Sequence, residues 1–91
     1  MTITDAEFVS NLIIQLLTED PSKIIEAKED ADSMVAAGAA WDATHHELMA
    51  EYCIYIIQRQ NPHLPELAQM IKDNQQDIEV RLFDHFRAQG W

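Results

Sequence analysis

Apolar residues recur at helical spacing in four stretches of this chain, each bounded by residues that start or stop a helix. The first opens on Thr4-Asp5-Ala6-Glu7, a capping box in which the Thr4 hydroxyl can accept from the Glu7 amide. At about 100° per residue, Phe8, Val9, Leu12, Ile13, Leu16 and Leu17 form one broad apolar face. Glu7, Asn11 and Thr18 lie opposite, and Ile14 falls among the polar positions. The helix should stop near Thr18 or Glu19, because Asp20 precedes Pro21 and a residue before proline avoids the α region.

Pro21 suits the first position of a second helix, with Asp20 as its N-cap. Ile24, Ala27, Ala31, Met34 and Val35 make a narrow stripe whose alanines permit close approach to a neighbour. Glu26, Glu29, Asp30 and Asp32 cover most of the remaining surface, with Ile25 beside them, and this phasing turns the acids towards solvent. Gly38 is the expected residue after the helix end.

A third helix starts near Asp42 or Thr44, where Thr44-His45-His46-Glu47 is a second capping box. Leu48, Met49, Tyr52, Cys53, Tyr55, Ile56 and Ile57 occupy more than half its circumference, leaving Glu47, Glu51 and Gln58 for water. An arc that wide belongs to a central helix, which Pro62 ends. The fourth helix begins around Pro62 or Pro65 and can run to Ala88, on a stripe of Leu67, Ile71, Ile78, Leu82 and Phe86. Lys72–Asp77 within it is wholly polar, which predicts a kink or a split, and Gly90 can cap the end. Val80 and Phe83 point away from the stripe.

Short connections favour antiparallel neighbours, so the pattern predicts an all-α, up-down four-helix bundle over residues 1–91, a single helical domain open to completion by dimerisation. The 47% hydrophobic content separates the chain from disordered acidic sequences. Cys53 is the sole cysteine and allows no intrachain disulfide. The start of the chain has no signal-peptide pattern, and Cys53–Ile57, the longest apolar run, is far too short for a membrane span. These features lead to the expectation of a cytoplasmic protein.

Charge sharpens the picture. Sixteen acids stand against six Lys and Arg, for a net charge of −10. Residues 1–35 hold eight acids against Lys23 and Lys28, a net of −6. Such a field disfavours phosphate and anionic lipid and favours basic partners.

Tests for catalysis fail in turn. His46-Glu47 begins an HExxH zinc motif, but Ala50 stands at the second histidine position. Asp42 and His45 could supply two ligands, yet no second Glu-x-x-His exists for a di-iron bundle site, and His63 and His85 stand alone. All-α nucleotide pyrophosphohydrolases hold magnesium with ExxE on one helix and ExxD on a following one. Glu26 and Glu29 supply the first half and Glu51 can open the second, but Ile54 replaces the aspartate. Cys53 lies on an apolar face, where a thiol is an inert packing residue. No glycine-rich loop cradles phosphate.

The expectation is therefore a non-catalytic inhibitor or adaptor with no metal and no cofactor, docking on a basic protein surface and forming a homodimer. The candidate contact residues are Glu26, Glu29, Asp30 and Asp32 for charge, with Val80 and Phe83 as apolar anchor. Ile14, Ile25, Trp41 and Trp91 are further apolar residues outside the stripes. The alternatives are the metal-dependent hydrolase using Glu26, Glu29 and Glu51, and a DNA mimic carrying carboxylates at phosphate-like spacing.

Overall fold

A computed structural model describes residues 3–38 and 44–91. Four helices form, α1 (Asp5–Glu19), α2 (Ser22–Ala36), α3 (His45–Gln60) and α4 (Pro65–Gln89), and no strand occurs among the described residues. They pack as a four-helix bundle. α1 lies on α4, α2 lies chiefly on α3, and α3 bridges the two pairs by also touching α4. Trp41 and Asp42 fall outside the described residues. No described helix is long and apolar enough to cross a membrane.

The caps are where the sequence places them. Thr4 Oγ1 accepts from the Glu7 amide at 3.1 Å, and Thr44 Oγ1 accepts from the Glu47 amide at 3.2 Å. The Asp20 carboxylate accepts from both the amide and the hydroxyl of Ser22, so it caps α2 across Pro21. Gly38 follows α2 at φ 71, a left-handed conformation that costs glycine little. Gly90 ends α4 the same way at φ 72. There the Trp91 amide donates to the Phe86 carbonyl and the Gly90 amide to that of Arg87, a Schellman motif.

That motif explains Trp91. Its ring lies 5.9 Å from Phe86 and 5.3 Å from His85, centroid to centroid. His46 Nε2 hydrogen-bonds the backbone oxygen of Trp91 at 3.0 Å, and since that oxygen can only accept, Nε2 carries the proton. Trp91 thus closes one end of the bundle by tying α4 to α3.

All five stripe residues of α4 are buried. The polar stretch bends the helix at Asn74, whose backbone is non-helical (φ −129, ψ 18). The Asn74 amide side chain donates to the Met70 carbonyl at 2.9 Å, supplying a hydrogen bond where the helical ladder is disturbed. The bend keeps Leu67 and Ile71 on one side of it, and Ile78, Leu82 and Phe86 on the other, in the same core.

Three stripes are phased differently from expectation. In α1 the buried residues are Ala6, Val9, Ser10, Ile13 and Leu17, so the core-facing side is rotated away from Phe8, which is 36% exposed. Buried Ser10 is satisfied by donating to the Ala6 carbonyl at 2.6 Å. Ile14 packs against the core edge and also stands, as expected, among polar groups, lining a groove with Glu7, Asn11, Arg81 and Asp84. In α2 only Ala27 and Ala31 are buried, while Met34 and Val35 are exposed. In α3 Ala50 and Ile54 are buried and Tyr55 is out in solvent. In α1 and α3 the apolar arc is wider than the strip the neighbours can cover, and the neighbours select which part is buried, whereas the narrow α2 stripe is covered only at its alanines.

Candidate protein-binding face

The buried alanines of α2 determine what else meets α3. With no side chain beyond Cβ at Ala27 and Ala31, the helices approach closely and the flanking residues of α2 are drawn against α3. Glu26 is one of them. Its carboxylate accepts from the Tyr52 hydroxyl at 3.4 Å and lies 3.1 Å from the Lys23 ammonium. Burial and the Glu26 charge push the Tyr52 hydroxyl above its ordinary pKa. The hydrogen bond and charge of Glu26 likewise hold the Lys23 ammonium above its own. Glu26 is therefore engaged by Lys23 and Tyr52 while its side chain stays 42% exposed, so it faces solvent as expected but is not free of contacts.

Asp30, one turn on, lines a groove between α2 and α3 together with Met34, Leu48, Glu51, Tyr52 and Tyr55, about 260 Å³ in volume. Leu48 is buried at its floor, whereas Met34, Glu51 and Tyr55 are exposed. Asp30 and Glu51 take part in no ion pair among the described residues. Tyr55 carries a cation on one side: the Arg59 guanidinium sits 5.5 Å from its ring centroid and donates to its hydroxyl at 2.9 Å.

A second groove, about 470 Å³, runs on the other side of α3, lined by Glu47, Gln75, Gln76, Glu79, Val80 and Phe83. Val80 is 46% exposed, while Phe83 is half-buried and packed against the core. Burial pushes the Glu79 carboxyl above the usual range, and the charges of Glu51 and Glu47 push it further, against a hydrogen bond from Gln75 that lowers it. The two grooves flank a ridge formed by Glu47 and Glu51 at i, i+4 spacing. This face thus combines like charges that repel one another with exposed apolar surface.

The sequence-derived candidates divide between two sides of α2. Glu26 and Asp30 face α3, whereas Glu29 and Asp32 are exposed. Asp32 meets His45 Nε2 at 2.9 Å, linking α2 to the start of α3. Asp30 lines the groove on the α2 side of α3 and Val80 and Phe83 the groove on its α4 side, with Glu51 close enough to Glu79 for their charges to interact across α3. Tyr52, Tyr55 and Met34 were assigned to the core by their spacing. Their position at the margins of apolar arcs was the available sign that they could line a groove instead.

The hydrolase geometry is not assembled. Glu26 is engaged with Lys23 and Tyr52, and Ile54, where the aspartate belongs, is 6% exposed in the core. No group of three or more His, Cys, Asp or Glu side chains among the described residues is arranged to hold a metal ion. Cys53 is 1% exposed and burial pushes its thiol up to about 12, far from the thiolate a nucleophile requires.

Fold and face together define a small all-α bundle with an acidic, tyrosine-bearing surface. The chain matches no family model, no curated protein and no solved structure at a significant level.

Proposed function

We propose that the protein is a non-catalytic protein-binding module, an inhibitor or adaptor, that docks on a basic surface of another protein. The observation that carries this reading is the pair of grooves flanking α3, which set carboxylates from three helices (Asp30, Glu51 and Glu79) beside exposed Met34, Tyr55 and Val80. Interfaces commonly combine exposed apolar and aromatic anchors with charge that steers the partner. Carboxylates crowded together are costly to the free protein, and a cationic partner relieves that cost.

Phe83 is already packed on the core, which leaves Val80 as the exposed apolar member of that pair. A second copy, with the same net charge of −10, would bring carboxylate against carboxylate, which favours a different, basic protein as the occupant.

The test begins with affinity capture from the source cell and proceeds to titration of the purified partner. Affinity should fall with rising salt, and charge reversal at Asp30 and Glu51 should weaken it at least about tenfold. Binding indifferent to salt and unchanged by the reversal would remove the proposal.

A further inference from the structure

We infer that the groove between α2 and α3 is a slot for an arginine side chain of the partner, an inference that rests on the partner presenting a basic surface. The slot combines two carboxylates with apolar and aromatic walls. Asp30 comes from α2 and Glu51 from α3, while Tyr52, Tyr55, Met34 and Leu48 supply the walls. A guanidinium matches this chemistry better than an ammonium. It is planar, weakly hydrated, stacks on aromatic rings and pairs bidentately with carboxylates. A lysine ammonium would have to shed a tightly held hydration shell against Met34 and Leu48.

The protein itself supplies a precedent, because Arg59 already sits over the Tyr55 ring and bonds its hydroxyl. The neighbouring cation, Lys23, is held by Glu26. Asp30 and Glu51 pair with no cation among the described residues, so both carboxylates are open to one. The volume of about 260 Å³ is that of a side-chain pocket and too small for a folded element. Charge complementarity and size together select one long cationic side chain as the occupant.

Two synthetic amphipathic peptides, identical except for arginine or lysine at every cationic position, test this on the full chain. Binding is read by fluorescence anisotropy, and its location by backbone amide shifts in NMR spectra. The arginine peptide should bind at least about fivefold tighter than the lysine peptide and shift the amides of Met34, Leu48, Tyr52 and Tyr55. Asp30→Asn combined with Glu51→Gln should weaken it at least about tenfold, and Tyr55→Ala about threefold. Glu66→Gln, exposed at the start of α4 and outside the groove, should change it less than about twofold.

Equal affinity for the two peptides, shifts confined to other surfaces, or no binding of either peptide would each overturn the slot. So would a change in sedimentation of the protein alone on Tyr55→Ala, which would mean that a second copy occupies the groove. The proposed function fails on a different result, a natural partner whose binding ignores salt and charge reversal. A salt-sensitive partner with no arginine preference leaves that function standing and removes only the slot.

Discussion

Where α1 and α4 pack, Val9, Ile13 and Leu17 join Ile78, Leu82 and Phe86, and none of these six is more than 2% exposed. Where α2 packs on α3, α2 contributes only Ala27 and Ala31 as buried side chains. Each large side chain removed from water is worth about 1.5–3 kcal/mol, and an alanine methyl far less. α2 therefore contributes the least buried apolar surface of the four helices, and it does not reach α4 among the described residues. With only alanines buried along α2, Met34, Asp30 and Glu26 stand at the margin of its close contact with α3. The helix that buries the least apolar surface thus supplies part of the candidate binding surface, and α3 supplies much of the rest.

The sharpest way to break this contrast is Phe86→Ala. Phe86 is fully buried and its ring also supports Trp91 and His46. The substitution should cost about 3–5 kcal/mol in chemical denaturation. A cost near that of Val35→Ala on exposed α2 would show that the α1–α4 half is not the stabilising one. Next in size is Ala31→Leu, which forces added volume into the α2–α3 contact and should destabilise by about 1–3 kcal/mol. A neutral result would mean that α2 is held too loosely to register the change.

Thr44→Ala removes the hydroxyl that accepts from the Glu47 amide and should cost about 1 kcal/mol, read as a lowered denaturation midpoint. The smallest effect is expected at Glu79 and has the opposite sign. An acid whose folded pKa is raised is penalised when ionised, so its penalty is absent below the unfolded carboxylate pKa and grows as pH rises through the folded value. Glu79→Gln should therefore stabilise the protein at neutral pH, by less than about 0.5 kcal/mol once solvent screening is counted. The gain should vanish near about pH 3, where carboxylates are protonated in both states. Stabilisation that persists undiminished in acid would mean that the Glu51 and Glu47 charges are not its cause.

Much of the fold was legible in the chain because its signals are local. Thr4, Thr44, Gly38 and Gly90 mark helix ends through bonds and backbone angles within a few residues, and each acts where expected. The α4 stripe was equally readable, since a narrow apolar seam leaves a single choice of buried face. The polar run announced the bend, although only the coordinates locate it at Asn74.

The candidate surface was only half legible. Asp30 and Val80 were visible as residues that no core stripe claims, whereas Glu51 stood out only as a hydrolase ligand and Glu79 did not stand out at all. Tyr52, Tyr55 and Met34 were hidden by the same reasoning, because a periodicity argument treats every apolar residue on a broad arc as core. Their actual surroundings depend on how near α2 comes to α3, and that distance is a property of two helices together.

The sequence by itself determined four helices, their caps, the interior seam of α4 and an excess of negative charge concentrated in the first third. Hydrogen-bond partners within one turn and a period of about 3.6 residues suffice for all of these. Only the tertiary structure decided that α1 buries Ala6 and Ser10 and leaves Phe8 at the edge, and that Glu26, Asp30 and Asp32 each meet a part of α3 while Glu29 stays exposed. Periodicity gives the width of an arc, whereas the neighbouring helix chooses the part of it that is covered. That choice turned a count of carboxylates into a groove with acidic edges and tyrosine walls.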